Sequence, residues 1–291
     1  MTNPAPPAFL VSCQPRVAAL LERVLPPVDL PPANVHRAMR HTVLAPSKRV
    51  RAALALASAE VCGREARGEA LAVAVELVHA ASLILDDLPS MDNAPMRRGR
   101  AACHVEFGEA TALLAAFDLL ARAFGIVARE YEAPVAAKLV SLLSEAVGSD
   151  GLVGGQADDL RGGGEAFTFE RLERIHRLKT GVLFSAAAAG GGLAAGGTPP
   201  QLAALGTYAK NLGLAFQIVD DLLDVEGDPA ETGKLTRSDV KKTTFLSFSG
   251  VAGAHQLAHE LCEVAASALA PLGTRAARLR ELASYVAARV S

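Results

Sequence analysis

Apolar and polar positions follow the helical period in one segment after another. Residues 1–14 read as a flexible leader and residues 15–25 as a first helix, stopped by Pro26-Pro27. After Pro31-Pro32 a helical segment carries Met39 and Arg40, and an Ala/Leu-rich helix follows Ser47 and ends near Cys62-Gly63. Residues 69–87 have the composition of one long helix, with further helices predicted over 108–130 and 134–147. A polar, loop-like stretch over 151–160 runs into Gly162-Gly163-Gly164, a basic amphipathic helix follows over 169–178, and amphipathic helices fill 255–291. No Pro/Ser-rich linker or charge run divides the chain, so residues 1–291 read as one domain.

Two helical patterns break the apolar rule in the same way. In Phe216-Gln217-Ile218-Val219-Asp220-Asp221-Leu222-Leu223-Asp224, the residues Gln217, Asp220, Asp221 and Asp224 fall at i, i+3, i+4 and i+7 and share one stripe. Unpaired carboxylates are costly to bury, and like charges one turn apart repel, so the stripe must meet water or a cation. A solvated acidic face intersperses Lys or Arg at i+4, whereas the neighbours here are Leu, Ile, Val and Phe, which favours bound metal. All-oxygen ligands on a rigid helix suit Mg2+, whose coordination substrate phosphates usually complete. Asp86, Asp87 and Asp92 repeat the design directly after an apolar run, and Pro89 lets the intervening segment bulge so that Asp92 returns toward Asp86.

Composition narrows the classes. Half the residues (51%) are hydrophobic, aromatics are 4% and Trp is absent, a profile of many close-packed helices, so the expected fold is all-α. With a net charge of −2 the chain has no global field to recruit nucleic acid or an anionic membrane. Cys13, Cys62, Cys103 and Cys262 are scattered without a CxxC pair, which argues against a zinc site or disulfide framework and fits a reducing cytoplasm. The N-terminus lacks a signal-peptide pattern. The Ala/Gly-rich run over 185–197 is too short and too weakly apolar for a membrane span, and tight helix packing explains it better, so no integral membrane segment is expected.

Several basic groups accompany the acidic clusters. Lys48 and Arg51 sit at i, i+3 beside a helix start, where they read equally as a diphosphate site or as a solvated basic turn. His79 lies two turns before Asp86 on nearly the same face, although a lone His on a helix is more often structural. The adjacent Arg97 and Arg98 diverge and could serve two anions. Lys179-Thr180-Gly181 reads more simply as a helix-terminal cap. Gly162-Gly163-Gly164 has neither a GxGxxG spacing nor a strand-to-helix context, which excludes a nucleotide loop.

These motifs, in this order, resemble the trans-isoprenyl diphosphate synthases, the farnesyl and geranylgeranyl diphosphate synthase family in its bacterial form. Asp86 to Asp92, continuing into Arg97-Arg98-Gly99, is similar to the first aspartate-rich motif, and Gly213 to Asp224 to the second. The resemblance implies an all-α bundle of ten or more helices around a deep cavity, paired as a homodimer. It implies that Asp86, Asp87, Asp92, Asp220, Asp221 and Asp224 bind a cluster of three Mg2+ ions, with Mn2+ a substitute. It implies too that Lys48, Arg51, His79 and Arg98 hold isopentenyl diphosphate, while Arg97, Lys179, Thr180, Gln217, Lys234 and Lys242 hold the allylic diphosphate. Lys179, Thr180 and Gln217 are then the catalytic side chains around the leaving diphosphate. The chain departs from the family at Ser47 and Ala52, at Arg100-Ala101-Ala102, and at Phe117 before Asp118, where no proposed ligand is lost.

Chain length in this family is set by bulk below the first motif. Ala81 and Ser82, five and four residues before Asp86, are small and imply elongation to geranylgeranyl diphosphate; a floor involving Phe117 would stop it at farnesyl. A terpene cyclase has no need of a second diphosphate site and tends to line its pocket with aromatics, unlike this chain. A non-catalytic partner subunit is expected to have eroded one acidic cluster, and both are intact.

Overall fold

The helical stripes read from the sequence are satisfied by packing against one another. The structure is a computed structural model that describes residues 4–161, 168–226 and 244–290; Lys234, Lys242 and Gly162-Gly163-Gly164 lie outside the described residues. In chain order the helices are α1 (Ala8–Val24), α2 (Ala33–Val43), α3 (Val50–Val61), α4 (Glu69–Asp86), α5 (Cys103–Phe107), α6 (Glu109–Glu130), α7 (Ala133–Val147), α8 (Leu152–Leu160), α9 (Phe169–His176), α10 (Val182–Ala194), α11 (Pro199–Glu226), α12 (Phe245–Ala268) and α13 (Ala277–Ala288). Among the described residues the strands are a single hairpin, Met96–Arg97 against Arg100–Ala101.

Helix α4 is apolar almost all round and buries residues on every side from Leu71 to Ile84, so it can only be a core helix. It packs on α3 and α6, while α10 bridges α3 and α11, and α11 lies along α12. The Ala/Gly run of α10 permits this closeness: a Cβ at Gly191 would sit 2.2 Å from the Ala55 carbonyl oxygen of α3. Tight helix packing is thus the structural role of the run.

Two segments depart from the sequence expectation. The part of the leader over residues 8–14 is helical, because α1 starts at Ala8 and buries Leu10, Cys13, Val17 and Leu21. Pro15 is tolerated inside it on the exposed face, where Val11, the residue whose carbonyl loses its partner, is also exposed. The loop-like stretch over 151–160 is the helix α8, held by packing despite two glycines.

Two stretches, Glu65–Asp86 and Glu109–Glu130, are long and apolar enough to cross a membrane by length and composition. The first is a core element, with 67% of its most apolar window buried in the bundle. The second, α6, leaves Leu113, Leu114 and Phe117 exposed on one side.

Candidate active site

Helices α3, α4, α6, α8 and α11, the turn before α10 and the end of α13 enclose a cavity of about 1480 Å³. Polar and charged groups line part of it: Lys48, Arg51, His79, Asp86, Arg97, Arg98, Lys179, Thr180, Gln217, Asp220, Asp224 and Arg289. Val78, Leu120, Val147, Leu152 and Val153 give the remainder an apolar lining, with Ser82 among them.

The first acidic cluster sits where α4 ends. The helix stops at Asp86, and the following turns bring the Asp92 backbone N–H to donate to the Asp86 carbonyl at 2.9 Å, the return that Pro89 suggests. Asp86 lines the cavity; its pKa is raised, chiefly by burial, with Lys179 opposing. Asp87 turns the other way. It is 2% exposed, does not line the cavity, and accepts from Arg97 Nε on both carboxylate oxygens at 3.0 and 3.1 Å, with a further short contact to Arg97 Nη2. With its oxygens paired to a guanidinium, Asp87 is not brought to the cavity beside Asp86, and the metal-ligand role expected for it rests on the sequence motif alone.

The arginine hairpin explains the divergence of its two side chains. Arg98 (φ 53°) and Gly99 (φ 73°) form a two-residue turn with both φ positive, which turns the strands back on each other. Arg97 goes to Asp87, while Arg98 Nη2 lies 3.3 Å from His79 Nε2 and Arg51 Nη1 3.4 Å from the same nitrogen. Burial, and then the charges of Arg51 and Arg98, hold the His79 pKa well below the usual imidazole range. The ring is therefore neutral, with Nε2 accepting between two guanidiniums, which keeps both cations side by side. Burial also pulls Arg51 down to about 10, against the counter-charge of Glu76, so it stays charged at neutral pH.

The segment Arg177–Gly181 joins α9 to α10 as a π-helical turn, a geometry frequent at functional sites. Lys179 and Thr180 therefore sit inside a continuous helical run, and the reading of a helix-terminal cap is corrected. Lys179 Nζ bridges Asp159 Oδ2 at 2.9 Å and Asp86 Oδ1 at 3.3 Å. Burial opposes its charge, but the two carboxylates outweigh it and raise the pKa. The π turn is braced by α8: a Cβ at Gly155 would lie 2.7 Å from the Lys179 backbone nitrogen, so only glycine allows the two to touch.

The second cluster is a relay along α11. Thr180 Oγ1 donates to Gln217 Oε1 at 2.9 Å, and Gln217 Nε2 donates to Asp221 Oδ1 at 2.9 Å. Asp221 is 8% exposed, and burial pushes its pKa up to about 6, against the hydrogen bond from Gln217. Asp220 and Asp224 line the cavity. A basic partner comes from another helix: Arg289 Nη1 lies 3.0 Å from Asp220 Oδ1 and its guanidinium covers the Phe216 ring at 5.1 Å. Phe216 in turn packs on Phe184, whose other neighbour is the Arg51 guanidinium at 4.9 Å.

Asp159 and Arg289 were invisible to motif reading. Asp159 stands in a stretch that looked like loop, and Arg289 in a C-terminal helix end with no pattern; each acquires meaning only from its neighbour in space. Of the chain-length residues, Ser82 lines the cavity, whereas Ala81 is fully buried behind it. Phe117, the alternative for a deeper floor, is 67% exposed and does not line the cavity, whereas Val78, Leu120 and Val147 do.

Hard oxygen donors without His or Cys make a set suited to Mg2+. Among the described residues no three acidic, His or Cys side chains converge on one point, so any ion held here must draw further oxygens from substrate or water. The raised pKa values of Asp86 and Asp221 mark carboxylates whose charge the protein leaves under-compensated, the condition in which a cation is welcome. The residues present fit the ion.

An all-α bundle with acidic clusters on two helices and a basic group beside an apolar well defines a helical prenyltransferase of the isoprenoid synthase fold. The comparisons place it further. The polyprenyl synthetase family profile matches residues 32–266. The chain is 41% identical to the chloroplastic geranylgeranyl pyrophosphate synthase 11 of Arabidopsis thaliana over 89% of its own length and 75% of that protein's. It is 38% identical to the farnesyl diphosphate synthase of Micrococcus luteus, over 88% of this chain and 90% of the relative. The apo crystal structure of an FPP/GFPP synthase from Zymomonas mobilis superposes with a TM-score of 0.85 at 33% identity, covering 96% and 98% of the two chains. The chain belongs to the polyprenyl synthetase family, and its reaction class is that of a trans-prenyltransferase extending prenyl chains. Members of the family are in general magnesium-dependent.

Proposed function

We propose that the chain condenses isopentenyl diphosphate head-to-tail with dimethylallyl, geranyl and farnesyl diphosphates, with geranylgeranyl diphosphate as the end product. The observation that carries this reading is one cavity lined by both carboxylate clusters, by a guanidinium–imidazole–guanidinium row and by an apolar well. Lys48, Arg51, His79 and Arg98 hold the diphosphate of isopentenyl diphosphate. Lys179, Thr180 and Gln217, with Arg97 as paired to Asp87, receive the allylic diphosphate; Lys234 and Lys242 are proposed for the same group and lie outside the described residues.

Mg2+ held by Asp86, Asp92, Asp220 and Asp224, with Mn2+ able to substitute and three ions the expected number, supplies charge neutralisation to the leaving diphosphate. Asp221 stands behind the stripe and orients Gln217. Lys179 Nζ, fixed between Asp86 and Asp159, is positioned to follow the departing negative charge. The resulting allylic cation is attacked by the isopentenyl double bond, held in place by the arginine row, and the bundle keeps water from the cation. Loss of a proton to the released diphosphate restores an allylic product; no side chain is assigned as general base.

The small Ser82 on the wall, with Ala81 behind it, favours growth past farnesyl, and the apolar lining continues to Val78, Leu120 and Val147. The exposed apolar row on α5 and α6, Val105, Leu113, Leu114 and Phe117, supports a homodimer formed through this face. Four unpaired thiols support a reducing cytoplasm. The purified chain, with Mg2+ and labelled isopentenyl diphosphate, should convert each of the three allylic primers to geranylgeranyl diphosphate and lose turnover with EDTA. A farnesyl end point would keep the reaction and discard the product, and no turnover at all would favour a non-catalytic partner subunit.

A further inference from the structure

Between Lys48 and Arg51 stands a third cation, Arg49, which with Glu76 also borders the cavity but whose guanidinium is taken up by acceptors of the protein itself. Arg49 caps the start of α3 in the left-handed conformation (φ 53°, ψ 36°), is 7% exposed, and donates to the carbonyls of Val43 at 2.6 Å and Ala45 at 3.3 Å. Its third contact is Glu76 Oε2 of α4 at 3.0 Å, and Glu76 is 3% exposed. The other oxygen, Glu76 Oε1, accepts from the backbone N–H of Ala52 at 3.3 Å, inside the first turn of α3. One buried carboxylate therefore pins both the cap residue and the first turn of the neighbouring helix.

A positive φ at a non-glycine residue costs of order 1 kcal/mol and persists where surrounding contacts over-determine it. Here the strained residue lies between two groups of the proposed isopentenyl diphosphate site. Glu76 is also three residues before His79 on the same helix face, so the carboxylate and the imidazole that holds Arg51 and Arg98 are set by one rigid element. Glu76 is the first counter-charge opposing burial for both Arg51 and Arg98.

We propose that the Arg49–Glu76 pair is a positioning device for the isopentenyl diphosphate subsite: it locks the Ser47–Arg51 turn so that Lys48 and Arg51 meet His79 and Arg98 around one diphosphate. Neither Arg49 nor Glu76 is assigned to touch substrate. The inference rests on the reading of that subsite given above. A purely structural buried pair predicts something different, since replacing both partners by apolar side chains is often neutral or stabilising.

The decisive variants are Arg49→Lys and the double substitution Arg49→Met with Glu76→Met. Lys keeps the charge but cannot fork to three acceptors, and the Met pair removes both charges at similar volume. Thermal melts, steady-state KM for isopentenyl diphosphate and for geranyl diphosphate, and calorimetric titration with isopentenyl diphosphate are measured on each. Positioning predicts a melting temperature near that of the parent and KM and Kd for isopentenyl diphosphate raised roughly tenfold or more, with KM for geranyl diphosphate changed by less than about threefold. Parent-like isopentenyl diphosphate affinity in a folded Arg49→Lys or Met-pair variant would overturn the proposal, as would equal losses for both substrates. Failure of the unmodified protein to bind isopentenyl diphosphate would instead remove the subsite reading beneath it.

Discussion

Replacing Gly155 by Ala tests whether α8 braces the turn that carries Lys179 and Thr180. The added Cβ would lie 2.7 Å from the Lys179 backbone nitrogen and 2.9 Å from Leu178 Cβ, where ordinary contact begins at 3.4 Å. Helix α8 must therefore retreat from the π turn by about 0.7 Å, an overpacking strain of about 1–3 kcal/mol. In a chain of this size such a loss lowers Tm by roughly 2–10 °C. Asp159 is on α8 and moves with it, lengthening its 2.9 Å bond to Lys179 and loosening the ammonium that also reaches Asp86. Because a misplacement of about 1 Å can cost on the order of a hundredfold in rate, kcat is expected to fall tenfold or more. Gly206→Ala is the internal control: it lies inside α11 with nothing within 4 Å of the added Cβ, and it should stabilise by about 0.5–1 kcal/mol with kcat unchanged. The assay is a thermal melt paired with single-turnover kinetics for both variants. A Gly155→Ala protein with unaltered Tm and unaltered kcat would show that the turn does not depend on α8.

On the proposed geranylgeranyl product, Ser82→Phe should shorten the main product to farnesyl diphosphate, while Ala81→Phe should chiefly destabilise, because Ala81 is fully buried and does not line the cavity; reversed effects in product analysis would place the ruler at Ala81. Leu120→Trp should likewise shorten the product from the α6 side of the cavity, and an unchanged product distribution would remove Leu120 from the floor. Burial holds His176 down to about 4, so between pH 6.5 and 4 the unfolded chain binds more protons than the folded one, and stability falls with pH across that window by up to about 3 kcal/mol. His176→Phe, which retains the packing on Phe245, should flatten that acid limb in urea melts at pH 7 and 4.5; equal slopes in the two proteins would refute the assignment. Phe117→Asp should shift the chain from dimer to monomer in light scattering, and an unaltered mass would move the interface elsewhere.

The sequence by itself determined the helical class and the two acidic stripes. A period of 3.6 with Leu, Val and Ala at the inward positions admits little else than packed helices, and carboxylates within such stripes require a cation or water. It also implied the return of Asp92 to Asp86, since a proline after the first two aspartates must end α4 and let the chain turn back. Other features were illegible because their causes lie far away along the chain. Helix α8 looks like a loop by its glycines, yet one of them, Gly155, is what lets the helix lie against Leu178 and Lys179. Asp87 and Asp86 are neighbours in one motif, yet one lines the cavity and the other is spent on Arg97, a choice made by a helix end and a hairpin turn. Asp159, Glu76 and Arg289 have no motif at all. Their roles are fixed by partners 20, 27 and 69 residues distant, at Lys179, Arg49 and Asp220, and a long-range ion pair becomes visible only when the helices carrying its two halves have packed.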